Sequence, residues 1–220
     1  MTETTDSAIA PRKKAKQRRS RERVEHILDT VLTMLSEGPA DKLTTNGIAQ
    51  RANVSIGSLY QFFPNKEAIF YELFQRWLEQ TLASLDHAYN SLGPGSDKND
   101  CVEAILEALG GPTSINSTGH WQLRRAMGSS RKLAELEEHH LGQIFQRIMA
   151  FQSKFGTLPP PEKQRDLALL QNQICIACLQ VLALTKTSPN RESVLNWCRH
   201  TLLLVFDHQM LDRPLVAEGP

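Results

Sequence analysis

The stretch from residue 43 to residue 66, LTTNGIAQRANVSIGSLYQFFPNK, constrains the fold of this chain most. Thr44 is placed to cap a short helix whose apolar residues recur at helical spacing. Asn53, a residue type that tolerates a left-handed backbone, ends that helix, and Ser55 can cap a second one. The second helix has one apolar face and is largely polar elsewhere. Two short helices, a tight turn and a polar outer face predict a helix-turn-helix motif.

The polar face of the second helix suits DNA. Small residues at its start let the backbone approach phosphates, and the helix dipole favours anions there. Ser, Tyr, Gln and Lys side chains supply further donors to phosphates and to base edges. Taken alone, the pattern also fits a plain two-helix corner without a nucleic-acid partner.

The complete string is more specific than its helix pattern. TT-x-x-IA, then A-x-VS-x-G-x-LY-x-x-F, then NKEA resembles the N-terminal domain of TetR-family transcriptional regulators, over roughly residues 18–78. Asn53 departs from that family, which usually has Gly there. The resemblance implies phosphate contacts from Thr45, Ser58, Tyr60 and Lys66, and it places nearest the bases Asn46, Ile56, Gly57, Gln61 and Phe62. The caps Thr44 and Ser55 complete the predicted DNA-binding set.

Charge is distributed unevenly along the 220 residues. Residues 1–66 hold eleven Lys/Arg against seven Asp/Glu, a net charge of +4, whereas the remainder holds fourteen against seventeen, a net charge of −3. From Arg12 to Arg23 there are eight basic residues and one acidic residue, Glu22. We therefore expect residues 1–17 to be a disordered basic arm that contacts phosphate or the minor groove, although such a run is often only a solvated tail.

After the motif the chain reads as helix throughout, so the predicted fold class is all-α. The predicted division is a helix-turn-helix domain over 18–66, a helical effector-binding and dimerisation domain over 67–212, and a tail over 213–220. A capping box at Asp100-x-x-Glu103 and a cap at Ser188 before Pro189 are expected to open two of the later helices. A 19-residue stretch without charge, 167–185, approaches the length of a membrane span. Its four Gln and Asn residues favour burial between protein surfaces instead.

The last two predicted helices are apolar over more than one face, and such helices need burial all round. A domain of this size offers few fully interior positions, so a four-helix interface in a homodimer is expected, as the family resemblance also implies. The alternative is that both helices are simply monomer core. The predicted interface residues are Ile174, Val181, Trp197, Leu203 and Phe206.

A small-molecule effector site is a weaker prediction. Trp121 stands beside His120 and near two arginines, a composition that could line a cavity for a planar or anionic molecule. The alternative is that Trp121 belongs to the core, that the two arginines are solvent-exposed, and that none of them binds a ligand. The predicted effector residues are His120, Trp121, Arg124, Met127, Phe145 and Asn172. The effector would favour one hinge angle of the fourth helix and so shift the dimer off DNA.

Other functional classes receive little support. No phosphate loop, G-x-S-x-G or H-E-x-x-H motif is present, so no enzyme, cofactor or metal site is expected. A purely architectural DNA binder would not need so much further helix. Cys175-x-x-Cys178 leaves open a thiol-based redox regulator, yet its apolar surroundings favour inert thiols. Four cysteines without an export signal indicate a cytoplasmic protein.

Overall fold

A computed structural model describes residues 18–111, 118–127 and 131–211. The predicted basic arm and the predicted tail at 213–220 lie outside the described residues. No strand occurs within the described ranges, and the all-α prediction is confirmed. The helices are α1 (Arg18–Glu37), α2 (Thr45–Arg51), α3 (Ile56–Phe62), α4 (Lys66–Ser91), α5 (Lys98–Gly110), α6 (Thr118–Ala126), α7 (Arg131–Phe155), α8 (Pro161–Leu184), α9 (Arg191–Phe206) and α10 (His208–Leu211). A 3₁₀ turn (Ala40–Lys42) follows α1.

The chain forms two compact units. Unit 1 contains the described residues 18–79, 118–127 and 131–137, and unit 2 contains 80–111 and 138–211. Helices α4 and α7 therefore continue from one unit into the other. The predicted functional boundary between residues 66 and 67 stays a prediction.

Unit 1 is built on the apolar stripe of α1. Ile27, Val31 and Leu35 are fully buried there, because residues three and four apart lie on one face of a helix. The short helices contribute Ile48 and Leu59 to the same core. An ion pair between Arg76 of α4 and Glu25 of α1, 2.6 Å long, adds a polar link at the edge. These contacts fix how α2 and α3 are presented to solvent.

Helix α6 also packs on α1, and it does so at very short range. A Cβ atom added to Gly119 would lie 2.4 Å from the backbone oxygen of Leu32 and 2.7 Å from Oγ of Ser36. No side chain can occupy that space, so glycine permits the close approach of the two helices. The segment that carries His120 and Trp121 is thereby held against α1.

Unit 2 has its own core, formed where α5 packs on α8 and α9. Its buried residues are Val102, Leu106, Cys178, Leu182, Val194, Cys198, Leu202 and Val205. Arg147 of α7 forms a two-pronged ion pair with Asp86, with nitrogen–oxygen distances of 2.9 and 2.6 Å. Arg199 of α9 pairs with Glu103 of α5. The unit is therefore held by apolar burial inside and by inter-helix ion pairs at its surface.

Two helix starts differ from the sequence prediction. Helix α5 begins one turn earlier than expected, because Asp97 is its cap and shares a capping box with Asp100. Ser188 does not cap α9; its Oγ accepts from the backbone nitrogen of Asn190, which stabilises a turn before the helix begins at Arg191. Both predictions were wrong by a few residues, since several Asp, Asn and Ser residues near each start compete for the cap.

Helix α8 is the one described helix that is long and apolar enough to cross a membrane by length and composition. Only 33% of its apolar window is buried within the chain. The part left uncovered must therefore meet another apolar surface or water.

Candidate DNA-binding surface

Three local devices set the geometry of the helix-turn-helix. Oγ1 of Thr44 accepts from the backbone nitrogen of Gly47 at 3.1 Å, and Oγ of Ser55 accepts from that of Ser58 at the same distance. Between the two helices Asn53 has φ = 51°, the left-handed region. The predicted caps and the predicted turn residue are thus confirmed. Each cap satisfies a backbone donor that the first turn of a helix leaves without a partner.

The outer surface of the motif consists mainly of polar side chains and also exposes Ile56. Most of the predicted DNA-binding side chains are exposed on it, namely Thr44, Asn46, Ser55, Ile56, Tyr60 and Gln61. Gly57 is exposed as well, and a Cβ added to it would meet nothing within 4 Å. The first turn of α3 can therefore approach a flat or charged surface closely. That exposed face, which we call the α3 face, consists of Ile56, Gly57, Tyr60 and Gln61.

One contact joins the two helices of the motif at this surface. The hydroxyl oxygens of Thr45 and Tyr60 lie 3.1 Å apart and share a hydrogen. Thr45 opens α2 and Tyr60 lies in the last turns of α3, so the contact holds together two predicted phosphate ligands. Nζ of Lys66 donates to the backbone oxygen of Ala40 at 3.3 Å and lies over the Phe70 ring.

The prediction that Phe62 lies nearest the bases was wrong. Its side chain is 5% exposed and belongs to the core of unit 1. Phe62 and Leu59 are three residues apart and so lie on one face of α3. The sequence did not reveal this because Phe62 and Phe63 are adjacent aromatics, and either could have been the inner one. Both are buried.

Two residues of this region were missed by the sequence reasoning. A ring nitrogen of His26 in α1 lies 3.0 Å from the backbone oxygen of Ala52, the residue that ends α2. This contact connects the turn of the motif to α1. Because the two residues are 26 apart, a local sequence pattern could not predict it. Lys42 is exposed in the 3₁₀ turn directly before α2. A lysine close to a capped helix start is a residue type and position that favour phosphate contact.

A second surface with an unusual character lies on α8 and α9 in unit 2. Trp197 is 66% exposed and Leu184 is 75% exposed, with Val181 and Leu204 also exposed. We call these four residues the α8–α9 face. Large exposed apolar side chains on neighbouring helices are typical of an interaction surface.

The predicted dimer residues divide within this region. Val181 and Trp197 belong to the α8–α9 face, whereas Ile174 and Leu203 are partly buried against the core of unit 2. The prediction for Phe206 was wrong, since its side chain is 8% exposed and its ring lies against Gly156 at the end of α7. When a helix is apolar on several faces, its sequence does not indicate which face is exposed.

The predicted effector residues fall in both units. In unit 1 the Trp77 ring contacts those of His120 and Trp121, with centroids 5.3 and 5.1 Å away. Burial lowers the pKa of His120 from 6.5 to about 4, so this imidazole is neutral at pH 7. Nε1 of Trp121 is buried and has no hydrogen-bond partner among the described residues. Arg124 pairs with Glu137 at 3.3 Å.

The remaining predicted effector residues are partly buried. Met127 follows α6 in unit 1, while Phe145 and Asn172 lie on α7 and α8 in unit 2. The aromatic contacts thus bring together two of the six predicted residues, His120 and Trp121, around Trp77. The assignment of all six stays a prediction.

The cysteines lie in surroundings that suppress their reactivity. Burial raises the pKa of the Cys101, Cys175 and Cys178 thiols to about 12. For Cys175 and Cys178 the neighbouring Cys198 contributes to this raised pKa; its Sγ lies 3.8 Å from the backbone oxygen of Cys178. The thiolate is the nucleophile in thiol oxidation, so very little reactive species exists at pH 7. This arrangement disfavours the redox alternative.

Comparison with known proteins agrees with this geometry. Residues 27–73 match the model of the bacterial regulatory proteins of the tetR family. The HTH-type transcriptional repressor KstR of Mycolicibacterium smegmatis is 31% identical over 176 residues, which are 80% of this chain and 83% of that protein. The matched segment contains α2, α3 and both caps, and the KstR match continues well beyond the motif.

Solved structures share the fold. A putative transcriptional regulator from Pseudomonas aeruginosa PAO1 superposes with a TM-score of 0.63 at 14% identity, over 82% of this chain and 88% of the other. The fatty acid degradation regulator FadR of Bacillus halodurans gives the same TM-score at 15% identity, over 86% and 97%. At such low identity these matches establish the fold alone.

Proposed function

Because this chain belongs to the TetR family of bacterial regulatory proteins, and is thus a DNA-binding transcriptional regulator, we propose that it is a repressor. It binds a palindromic operator as a homodimer in the cytoplasm and is released by a small-molecule effector. The observation that carries this proposal is the α3 face, which is exposed and is positioned by two helix caps and a left-handed turn. Its relative KstR is named a repressor.

The division of labour on DNA follows from side-chain chemistry. Gln61 and Asn46 are exposed amides, the side chains that pair with the donor and acceptor of adenine in the major groove. Ile56 and Gly57 offer apolar contact and close backbone approach at the start of α3. Phosphates are held by Thr45, Ser58, Tyr60 and Lys66, to which we add Lys42. The capped first turns of α2 and α3, at Thr44 and Ser55, point backbone donors at the same anions.

The homodimer is held through the α8–α9 face. Glutamate and lysine are the usual cover of a monomer surface, but this face presents a tryptophan and aliphatic side chains instead. A second copy would supply matching apolar area by two-fold symmetry. The same contact would cover the part of α8 that the chain leaves open, without a membrane. Two α3 helices per dimer then read the two halves of a palindrome.

Effector binding rests on the residues around Trp77. The unpartnered Nε1 of Trp121 is a buried donor, and a ligand oxygen placed there would satisfy it. A ligand can release the operator only if it binds the DNA-competent conformation less tightly than another one. We keep His120, Arg124 and Met127 as further effector contacts of this site in unit 1, while Phe145 and Asn172 of unit 2 stay separate sequence predictions.

The salt dependence of operator binding tests the proposal. Tyr60→Phe and Lys42→Ala should weaken binding to all DNA sequences alike, because phosphates carry no sequence information. Lys42→Ala should also make the slope of log K against log salt shallower by about one. Glu79→Ala, a change of charge in α4 far along the chain from the motif, is the control. Unchanged affinity and slope in both motif variants would contradict the proposed surface.

A further inference from the structure

The turn between α2 and α3 is closed by two backbone hydrogen bonds. The backbone nitrogen of Val54 donates to the oxygen of Ala49 at 3.0 Å, and that of Asn53 donates to the oxygen of Gln50 at 3.1 Å. With Asn53 in the left-handed region, these bonds form a Schellman motif at the end of α2. They fix the shape of the turn, whereas its orientation relative to α1 depends on other contacts.

His26 supplies a hydrogen bond that attaches this turn to α1. Its Nε2 lies 3.0 Å from the backbone oxygen of Ala52, the residue that ends α2. Because a carbonyl oxygen only accepts, the ring nitrogen must donate, so the hydrogen is on Nε2. Carbonyl oxygens at the end of a helix have no partner within it, and His26 satisfies one of them.

Helix α1 holds the donor in place. Ile27, the residue after His26, and Val31 are both 0% exposed and anchor α1 in the core of unit 1. His26 itself is exposed, so replacing its side chain opens no cavity in that core. The position of α1 therefore does not depend on the bond to Ala52.

The first turn of α3 is held less firmly by the core than its last turn. The buried residues of α3 are Leu59 and Phe62, both in its second half, whereas Ile56 and Gly57 are exposed. Apolar burial is non-directional, so it retains the end of α3 without setting the angle of its start. A hydrogen bond is directional, and the one that His26 makes acts on the turn directly before Ser55, the cap of α3.

We propose that His26 is a positioning residue for operator recognition. Its bond to Ala52 fixes the turn, and thereby the angle at which Ile56 and Gly57 approach the base pairs, without touching DNA itself. Base contacts require accurate hydrogen-bond geometry, whereas phosphate contacts made elsewhere on the motif hold any sequence. This inference rests on the DNA-binding surface proposed above and adds to it a residue outside the helix-turn-helix.

Two binding measurements on the full-length protein separate positioning from phosphate contact. The probes are the palindrome that the parent protein selects from random DNA and a duplex of the same composition with scrambled half-sites. His26→Leu should weaken binding to the palindrome by about tenfold, as for one lost base contact, and change binding to the scrambled duplex by less than about twofold. The slope of log K against log salt should stay the same, because no phosphate contact is lost.

Equal losses on both duplexes would overturn the proposal. With a shallower salt slope they would make His26 a phosphate ligand, and with an unchanged slope they would make it a merely structural residue. Unchanged binding to the palindrome would also overturn it.

Two amide variants test whether the hydrogen bond is the cause. In His26→Gln the amide nitrogen is as many bonds from Cα as Nε2 of histidine, so this variant can donate to Ala52 and should bind the palindrome within about twofold of the parent. His26→Asn has the same amide on a shorter chain and should lose about as much affinity as His26→Leu. The control is Thr33→Ala, at an exposed residue whose hydroxyl binds Asp29 within α1, and it should keep full affinity. If glutamine does not restore binding, or asparagine restores it equally, the bond is not the cause and the proposal fails.

Hydrogen exchange gives a readout that requires no operator. The segment 52–58 contains the backbone amides of Asn53, Val54 and Ser58, which are bonded in the turn and in the cap. In the free protein His26→Leu should speed exchange there by about tenfold, the worth of one hydrogen bond, and leave the buried stripe of α1 unchanged. Unchanged exchange over 52–58, or faster exchange throughout unit 1, would contradict the positioning role.

Gln61→Ala distinguishes failure of this inference from failure of the proposed surface. If Gln61→Ala weakens binding to the palindrome and His26→Leu does not, the α3 face reads DNA and the positioning role of His26 is wrong. If neither variant has an effect on binding, the proposed surface fails as well. The exchange measurement then still decides whether His26 fixes the turn.

Discussion

The motif formed by α2 and α3 and the pair formed by α8 and α9 both expose side chains, but of different character. The α3 face combines an amide and a phenol with Gly57 and Ile56, whereas the α8–α9 face is wholly apolar apart from the indole nitrogen of a tryptophan that is 66% exposed. Exposed polar side chains are hydrated, so they are stable in water before a charged partner binds. Apolar exposure is unfavourable in water until another apolar surface covers it. One surface therefore suits a reversible DNA contact and the other a lasting contact between protein chains.

The two regions also differ in how their shape is fixed. The two helix starts of the motif are fixed locally, by cap bonds that join residues three apart, and Asn53 supplies the left-handed turn between them. The helix pair is fixed by packing between residues far apart in sequence, as in the core formed with α5. Substitution of a single cap or turn residue should have a small effect on stability. Substitutions that change charge or volume in the long helices should have large effects.

The largest expected effect is on the α8–α9 face. Trp197→Glu and Leu184→Glu should each place a charge in the proposed dimer interface, where burial of an unpaired charge costs about 3 kcal/mol or more. Both variants should sediment as monomers at concentrations where the parent is a dimer. Leu158→Glu, an exposed apolar residue between α7 and α8, should leave the dimer intact. Dimers that persist in both interface variants would put the interface on another surface.

The next effect separates two neighbours in the motif. Phe62→Ala should lower the free energy of unfolding by about 3 to 5 kcal/mol, because it removes a buried ring. Gln61→Ala changes an exposed residue and should alter stability by less than about 0.5 kcal/mol while weakening operator discrimination. Denaturant titration measures the first effect and binding to mutated operators the second. The reverse pattern would show that Phe62 does reach the bases.

The units should also differ in their response to pH. The pKa of His120 in unit 1 is lowered from 6.5 to about 4, so the unfolded chain takes up the proton first. Stability from this residue is present above pH 6.5 and is lost as pH falls toward 4, by about 3 kcal/mol in total.

Unit 2 responds at the other end of the scale. The pKa of Cys101 is raised from 9.0 to about 12, so its contribution is present below pH 9 and is lost as pH rises toward 12. Protection of the two units against hydrogen exchange, relative to the unfolded chain at the same pH, should therefore fall at opposite ends of the pH range. Acid sensitivity of unit 1 that survives in His120→Gln would assign it to other groups.

The smallest effect concerns one cap. Ser55→Ala removes the acceptor for the backbone nitrogen of Ser58 and should lower the free energy of unfolding by about 1 kcal/mol. Ser58→Ala, inside the same helix, keeps that bond because only its backbone takes part in it. Thermal unfolding compares the two. Equal losses in both variants would mean that the cap has no special role in fixing α3.

The sequence predicted both caps and the turn residue of the motif because their signals are local. Thr44, Asn53 and Ser55 act on residues within three positions, and each has a side chain or backbone preference suited to one task. The same locality explains the error at Asp97 and Asp100, where two suitable caps stand three residues apart. The preference of Asp for the N-cap position does not distinguish between these two residues.

Contacts over long distances in sequence could not be predicted in this way. The bond of His26 to Ala52 and those of Gln152 and Gln171 to α9 depend on which helices become neighbours. The orientation of α9 also decides whether Phe206 is inside or outside. Helical periodicity predicted that α9 is buried on several faces. Which of its faces is exposed depends on packing against other helices, which the periodicity does not specify.

Selection of DNA fragments by the purified protein tests the central claim most directly. The account predicts enrichment of one palindrome whose two halves each lie in a major groove, bound by one dimer. The parent should prefer it over mutated half-sites by about 1 to 3 kcal/mol per changed base pair, and Gln61→Ala should reduce that preference at specific positions. Enrichment of no sequence, or of a sequence whose recognition is unchanged in Gln61→Ala and in other variants of the α3 face, would contradict it.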